Sequence, residues 1–431
     1  MDVELLTVGT ELLLGYTVDT NAAAAGRLLA EAGVRVVRRA TVGDDARAIQ
    51  DAAAAALERS GTVIVTGGLG PTADDLTREA VAGLFGRRLE RDPRVLEALA
   101  ERFEKLGRGP MPESNARQAD VPEGAAVLPN RWGTAPGLWL EGEGGRLAIL
   151  LPGVPVEMRG LLEHEVLPRL LKRRTGTGAQ GHGGTEGADA PVIRSRTLRT
   201  TGISESALAD RVGDPARLLG SGVTLAWLPS PEGTDLRLTA WDLPAAAADA
   251  ALAKAVAALR PLAGAHCYGE GDADLAALML AELERRGAHL AVAESCTGGL
   301  IGERLTAIPG SSRVFAGGVV AYADAAKLEL LGVSADALAA HGAVSEAVAR
   351  QMAAGAGTVL GAAAALAVTG IAGPDGGTAE KPVGTVWIAT LWQGKLRAFH
   401  FAFPGEREVV RRRAAQAALD ALRRVLAEGQ A

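Results

Sequence analysis

The chain has 431 residues, 2 of them cysteine, and a formal net charge of −6. Its length calls for two or three domains; its acidic balance argues against general nucleic-acid binding; and two thiols, Cys267 and Cys296, exclude a disulfide framework and suit a reducing compartment. With 48% hydrophobic residues, no apolar run long enough for a bilayer, no basic stretch near Met1, and histidines outside any HExxH or CxxC pattern, a soluble cytoplasmic protein without signal peptide, membrane span or zinc chemistry is expected.

Strands and helices alternate from the start. VELLTVG and VRVVRRATVG read as strands, NAAAAGRLLAEAG as a helix closed by Gly33, and DDARAIQDAAAAALERSG as a helix capped by Asp44 or Asp45. TVIVTGG is apolar throughout, as a strand buried on both faces must be, and TREAVAGLFG starts another helix. This order predicts a doubly wound α/β domain with a parallel sheet over residues 1–173. RTGTGAQGHGGTEGADAP, Arg174 to Pro191, is glycine-rich and lacks large apolar residues, so a flexible linker is expected over 174–191.

Residues 192–265 read as a small α+β module. Its strands lie in RSRTLRTTG and GVTLAWLPSPEGTDLRLTAWDLP, with a turn at Pro231 to Gly233, and its helices in SESALADRVG and AAAADAALAKAVAALRPLAG. The α/β rhythm returns over 268–428. DADLAALMLAELERRG, TGGLIGERLTAI and SEAVARQMAAGAGTVLG have helical spacing, while HLAVAES, VFAGGVVAY and AALAVTG read as strands. A hairpin turning at Gln393-Gly394 and a long amphipathic helix follow.

TGGLGPTADDLT, Thr66 to Thr77, follows the third strand and precedes a helix. Glycines there let backbone N–H groups approach an anion, and a helix start favours negative charge. Asp74 and Asp75 beside a phosphate would repel it unless a divalent cation lies between them. GTELLLGYTVDTN, Gly9 to Asn21, and VGDD, Val42 to Asp45, belong on the same sheet edge, where open α/β sheets bind ligands. The plainer alternative is that the glycines turn the chain and the two aspartates cap the helix.

These motifs, together with LPGVPVEM, resemble the N-terminal domain of the CinA family, which has the fold of molybdopterin-binding proteins. The resemblance implies a site for a pterin- or nucleotide-like phosphate ligand and a metal-dependent hydrolysis of ADP-ribose. By motif position the nucleotide falls to Glu11, Asp19, Asn21, Asp44, Gly67, Gly68, Gly70 and Thr77, and a divalent metal ion to Asp74 and Asp75.

A second constellation centres on AESCTGG. Ser295 stands where a strand ends and a helix begins, a junction whose free N–H groups stabilise an oxyanion. Gly298 and Gly299 keep that surface open. No histidine lies in a nearby motif, so Lys327, in AYADAAK after the next strand, is the candidate base, with Tyr322 relaying a proton or orienting the lysine. TGIAGPDGG, Thr369 to Gly377, suits a phosphate, and Arg407 in FPGER suits a bidentate partner for one. Taken singly, each residue has a structural alternative. Ser295 fits an N-cap, Lys327 a solvated helix residue, Cys296 a small buried hydrophobe, Tyr322 a half-buried strand residue, and Arg411 to Arg413 a solvated helix face.

AESCTGGL, GGVVAYADAAK, HGAVSE, VTGIAGPDGG, KPVGTVWIA and FPGER occur in the order typical of the CinA C-terminal domain, which is similar to the stand-alone nicotinamide mononucleotide (NMN) deamidases. The resemblance implies hydrolysis of NMN to nicotinic acid mononucleotide and ammonia, without a cofactor. The family's serine nucleophile falls on Ser295, with Tyr322 and Lys327 as partners. Thr297, Gly298, Gly299, Thr369, Gly370, Gly373 and Arg407 fall to the substrate, and the Thr297 and Gly298 N–H groups to the oxyanion. Glu406 stands where the family often has a shorter residue, and the glycine-rich linker is longer than the family's usual connection.

The resemblance also implies a homodimer. The middle module resembles a KH-like fold but lacks a G-x-x-G loop with flanking basic residues, so nucleic acid is not an expected partner. The competing reading is a competence- or DNA-damage-associated regulatory or ligand-binding protein that keeps these folds with one or both sites inactive.

Overall fold

The computed structural model describes residues 1–105, 109–176 and 191–428, with the side chains of 174–176 excepted. Two compact units form, Met1–Arg194 with Ala240–Ala250, and Ser195–Thr239 with Ala251–Ala431. Of the expected linker, residues 177–190 lie outside the described residues, 174–176 end a helix, and Pro191 opens a strand.

The first unit runs β1 (Asp2–Val8), α1 (Thr10–Leu13), α2 (Thr20–Glu31), β2 (Arg35–Val42), α3 (Ala46–Ser60), β3 (Thr62–Thr66), α4 (Thr77–Leu84), β4 (Leu89–Arg91), α5 (Pro93–Lys105), β5 (Asp120–Pro122), β6 (Ala126–Leu128), β7 (Gly137–Glu141), β8 (Leu147–Leu151), α6 (Pro155–Leu161) and α7 (Leu167–Gly176). Asp19 caps α2 by accepting the Ala22 N–H, and Asp45, rather than Asp44, caps α3 through the Ala48 N–H. The sheet order is β2-β1-β3-β8-β7-β6. β3 lies between β1 and β8 with apolar layers on both faces, which is why all of its residues are buried. Each fully buried aliphatic side chain there contributes roughly 1.5–3 kcal/mol.

The expectation of a parallel sheet holds for β2, β1, β3 and β8, but β7 and β6 are antiparallel. The connection Gly142–Arg146 between β7 and β8 is too short for the crossover that parallel strands require.

The next region runs β9 (Pro191–Thr200), α8 (Glu205–Val212), α9 (Pro215–Leu218), β10 (Val223–Ser230), β11 (Gly233–Pro244), α10 (Ala245–Ala263) and β12 (Cys267–Glu270), with sheet order β10-β11-β9-β12. Tyr268–Glu270, read from sequence as the start of the last domain, instead complete this sheet, because β12 pairs antiparallel with β9. So short a segment carries no periodicity of its own to reveal its partner.

The last region runs α11 (Leu275–Arg285), β13 (Leu290–Glu294), α12 (Leu300–Thr306), β14 (Phe315–Val320), α13 (Asp324–Leu331), α14 (Ala335–His341), α15 (Glu346–Val359), β15 (Ala364–Gly370), β16 (Thr385–Trp392), β17 (Lys395–Ala402) and α16 (Arg407–Glu428). The sheet order is β14-β13-β15-β16-β17, parallel through β15 and antiparallel beyond it. Gln393 and Gly394 turn the β16–β17 hairpin with φ of 47° and 78°, the left-handed pair that a two-residue turn needs. Apolar residues of α11, α12 and α16 cover one face, and those of α13, α14 and α15 the other. No helix among the described residues is long and apolar enough to cross a membrane.

Candidate active site

β13 ends at Glu294, level with Val320 of β14 on one side and Val368 of β15 on the other. One step on, the Ala321 N–H donates to the Glu294 carbonyl at 2.8 Å and the Ser295 N–H to the Val368 carbonyl at 2.9 Å. Ser295 and Tyr322 therefore follow the ends of β13 and β14, and Thr369 is the last residue but one of β15, on three adjacent strands at the carboxyl edge of the sheet. Ser295 is buried, and its hydroxyl makes no hydrogen bond among the described residues.

Glu294, to which the sequence reading assigned no role, holds the loop that follows. Its carboxylate is 1% exposed. Oε2 accepts the Gly299 and Ile301 N–H groups at 3.1 and 3.0 Å, and Oε1 accepts that of Gly302 at 2.9 Å. A carboxylate at a helix start is favoured by the helix dipole and by charge-assisted bonds. Gly298 and Gly299, at φ 61° and 96°, make the left-handed turn that brings those groups around it.

This bracing corrects two expectations. The N-cap position of α12 is Gly299, so Ser295 is not the cap. The Gly298 N–H donates to the Ser295 carbonyl at 3.1 Å and is not free for an oxyanion. The unclaimed N–H groups beside Ser295, among the described residues, are those of Cys296 and Thr297. The Thr297 hydroxyl oxygen is buried without a partner there.

Lys327 is not the solvated helix residue that its position alone suggests. It is 1% exposed, one of the largest fully buried side chains. Its Nζ donates to the Tyr322 backbone carbonyl at 3.3 Å and to Asp324 Oδ1 at 3.2 Å. Burying an ammonium is costly unless it is paired and hydrogen-bonded, and Asp324 is the pairing residue that sequence reading missed. Tyr322 approaches the lysine through its carbonyl rather than its hydroxyl. The ring is exposed, and its hydroxyl accepts from an Arg407 terminal nitrogen at 2.8 Å. The other terminal nitrogen of Arg407 donates to the Gly373 carbonyl at 2.7 Å. Lys327, Tyr322, Arg407 and Gly373 thus form one chain of contacts.

Thr369 is committed to its own scaffold, since its buried hydroxyl donates to the Ala343 carbonyl at 2.9 Å. Gly370 backs onto the thiol: a Cβ there would lie 3.1 Å from Cys296 Sγ and 2.7 Å from Val386. Burial pushes the Cys296 thiol up to about 12, with the nearby Glu294 carboxylate adding to it. Cys296 is the small buried hydrophobe of the plainer reading. Arg411, expected on a solvated face, instead donates to the Thr297 carbonyl at 2.9 Å, 114 residues away in sequence.

In the first unit the Gly67–Thr77 loop is clasped from within. The Thr77 hydroxyl donates to the Gly67 carbonyl at 2.8 Å. Asp75 accepts the Gly70 and Thr72 N–H groups at 2.7 and 2.8 Å, and the Thr72 hydroxyl at 2.5 Å. The helix cap is Leu76, so neither aspartate caps α4. Beneath the loop, Arg78 is buried and donates to the Leu69 and Gly70 carbonyls at 2.7 and 2.9 Å. Burial lowers its affinity for a proton, against the pull of nearby carboxylates. Among the described residues the Gly68 and Leu69 N–H groups remain unclaimed.

Asn21, on α2, donates to the Gly153 carbonyl at 2.7 Å and to Oγ1 of Thr66, the last residue of β3 before the loop, at 3.3 Å, while its Oδ1 is buried without a partner among the described residues. Asp19 is spent as a cap, and Asp44 Oδ2 accepts the Thr10 N–H at 2.9 Å, tying two loops together. Glu11 stays exposed. Asp74 is exposed, and a hydrogen bond from Thr72 holds its carboxyl below the usual range. No group of three or more His, Cys, Asp or Glu side chains able to hold a metal occurs among the described residues.

Residues 4–172 match the family described as "Probable molybdopterin binding domain", residues 195–269 the "Damage-inducible protein CinA KH domain", and residues 272–426 the "CinA C-terminal domain". The chain is 56% identical over 427 residues to a CinA-like protein of Gemmatimonas aurantiaca, covering 99% of this chain and 97% of that one. It is 46% identical over 426 residues to a CinA-like protein of Salinibacter ruber, covering 99% and 100%. Among solved structures, the competence/damage inducible protein CihA of Agrobacterium tumefaciens is 42% identical, with a TM-score of 0.35, covering 35% of this chain and 93% of that one.

Proposed function

Because the chain belongs to the CinA family, with a molybdopterin-binding-like first domain, a KH-like middle and a CinA C-terminal domain, we propose that its last region is an amidase acting on NMN. The observation that supports this most is the Ser295 hydroxyl at the end of β13, without a partner among the described residues, with the buried Lys327 amine on α13 bonded to the Tyr322 carbonyl just past the end of neighbouring β14. Ser295 Oγ attacks the carboxamide carbon and its proton passes to Lys327. The Cys296 and Thr297 N–H groups face the oxyanion. The tetrahedral adduct collapses, Lys327 returns the proton to the departing nitrogen, and ammonia leaves. Water then cleaves the acyl-enzyme, releasing nicotinic acid mononucleotide and restoring Ser295.

The test is ammonia release from NMN by the wild type, Ser295→Ala and Cys296→Ala. Ser295→Ala is expected to lose about 10³-fold or more in kcat, and Cys296→Ala to stay within about twofold. Full activity in Ser295→Ala sinks the reading. Binding of NMN without ammonia release by the wild type favours the regulatory alternative.

A second reading concerns the first unit, where the Gly68 and Leu69 N–H groups, unclaimed among the described residues, lie in the loop that follows Thr66, the residue Asn21 bonds. These suit an anionic phosphate, and hydrolysis of ADP-ribose to AMP and ribose 5-phosphate is the reaction assigned to it. Product formation with magnesium and with a chelator, in the wild type and in Asn21→Ala, tests the reaction and its metal dependence together. Sedimentation of the full chain tests the homodimer that belongs to the same proposal.

A further inference from the structure

A cavity of about 810 Å³ lies in the second unit, away from the strand ends that carry Ser295. Its size falls within the roughly 300–1,000 Å³ of small-molecule sites. One wall is aromatic. Phe399, Phe401 and Phe403 alternate along β17 and its extension, half-buried, so that one face of the strand presents all three. Phe401 and Phe403 stack with ring centroids 5.2 Å apart. The whole chain has 6 phenylalanines, so half of them line this one cavity.

Beside this wall, α16 contributes Gln416 and Arg413. Gln416 is 2% exposed, and its Oε1 has no partner among the described residues. A buried amide oxygen left unpaired is costly, so a ligand donor that meets it recovers that loss. One Arg413 terminal nitrogen donates to the Pro404 carbonyl at 2.9 Å, leaving the rest of the guanidinium without a partner among the described residues. Arg424, in contrast, is committed to Asp420 at 2.8 Å and His266 at 3.2 Å. The middle module contributes two carboxylates to the lining, Glu205 and Glu232.

We infer that this cavity is a second ligand site, for an aminopurine nucleoside 5′-phosphate. The purine stacks on the phenylalanine wall, where every base offers a π face. The Gln416 amide, one acceptor beside one donor, complements an exocyclic amine beside a ring nitrogen. Glu205 and Glu232 accept hydrogen bonds from the ribose hydroxyls, as an acidic residue does in dinucleotide sites. Arg413 pairs with the phosphate. The site joins the middle module to the catalytic region, so its occupant ties the two together.

The experiment is binding of AMP to the full chain by calorimetry, with photolabelling by 8-azidoadenosine 5′-phosphate. AMP is expected to bind the wild type, Ser295→Ala and Asn21→Ala alike, which separates this site from the two proposed above. Phe401→Ala and Gln416→Leu are each expected to weaken it about tenfold or more while ammonia release, measured below the melting transition, stays near wild type. Should Gln416→Leu fail to fold, Phe401→Ala and Arg413→Gln carry the test. Inosine 5′-phosphate, with a carbonyl in place of the amine, is expected to bind about tenfold more weakly. Adenosine is expected to bind more weakly than AMP, and inorganic phosphate not to compete. The label is expected on peptides spanning 399–424. The inference is overturned by no AMP binding at millimolar concentration, by unchanged binding in Phe401→Ala and its companion variant, by equal binding of the inosine nucleotide, or by label confined to 66–78 or 294–302.

Discussion

Two glycine-rich loops follow two buried parallel strands, and each is braced from below by one buried charge of opposite sign. In the first unit Arg78 takes the Leu69 and Gly70 carbonyls. In the second, Glu294 takes the Gly299, Ile301 and Gly302 N–H groups. A guanidinium that draws carbonyls inward leaves N–H groups for an anion. A carboxylate that draws N–H groups inward fixes the helix start and leaves only the residues next to the strand end for chemistry. Only beside the second does a buried serine hydroxyl without a partner among the described residues, Ser295, stand at the strand end, with a buried lysine on the helix after the neighbouring strand. In the function proposed above, the first loop holds a phosphate and the second carries the amidase nucleophile.

Lys327→Met is the largest test of that contrast. It is expected to lower ammonia release about 10²–10⁴-fold and leave ADP-ribose cleavage unchanged; equal loss of both activities would break the contrast. Glu294→Gln comes next. The amide oxygen still accepts, but the charge is gone, so kcat is expected to fall about tenfold with little change in KM. A pure KM effect would mean that Glu294 positions substrate rather than the nucleophile loop.

Arg78→Met leaves the Leu69 and Gly70 carbonyls unpaired. It is expected to destabilise the first unit by about 2 kcal/mol, read as an earlier thermal transition, with ammonia release untouched. The smallest effect is on the thiol. Burial disfavours the thiolate, so with Cys296 pushed up to about 12 the native thiolate fraction rises about tenfold per pH unit from pH 7 to 10. Alkylation of Cys296, followed by mass spectrometry, should stay slow and keep rising over that range; a plateau near pH 8–9 would show an activated thiol.

Much of the architecture was legible in the sequence because it rests on local periodicity. β3 and β13 read as buried strands from their apolar runs, and the Gln393-Gly394 turn from its place between two strand patterns. The antiparallel β7 and β6 were not, because these short strands and their brief connections were not resolved as strands in the sequence pattern, and the membership of β12 was not, because its partner β9 lies far back along the chain. The candidate residues show the same division. Ser295 was singled out from its junction of strand and helix. The contacts of Glu294, Asp324 and Arg411 were not legible, since a charged residue in a sequence looks the same whether it is solvated or buried.

By itself, the sequence determined which segments are strands and helices, where the glycine loops fall, and which side chains are able to react. Those depend on spacing between near neighbours. Only the tertiary structure decided that the Tyr322 hydroxyl meets Arg407, 85 residues away, that Lys327 is buried, that the Gly298 N–H is already taken, and that three phenylalanines and Gln416 share a cavity. Burial and hydrogen-bond partners are set by the strands and helices that pack around a residue, and that packing depends on segments far away in sequence.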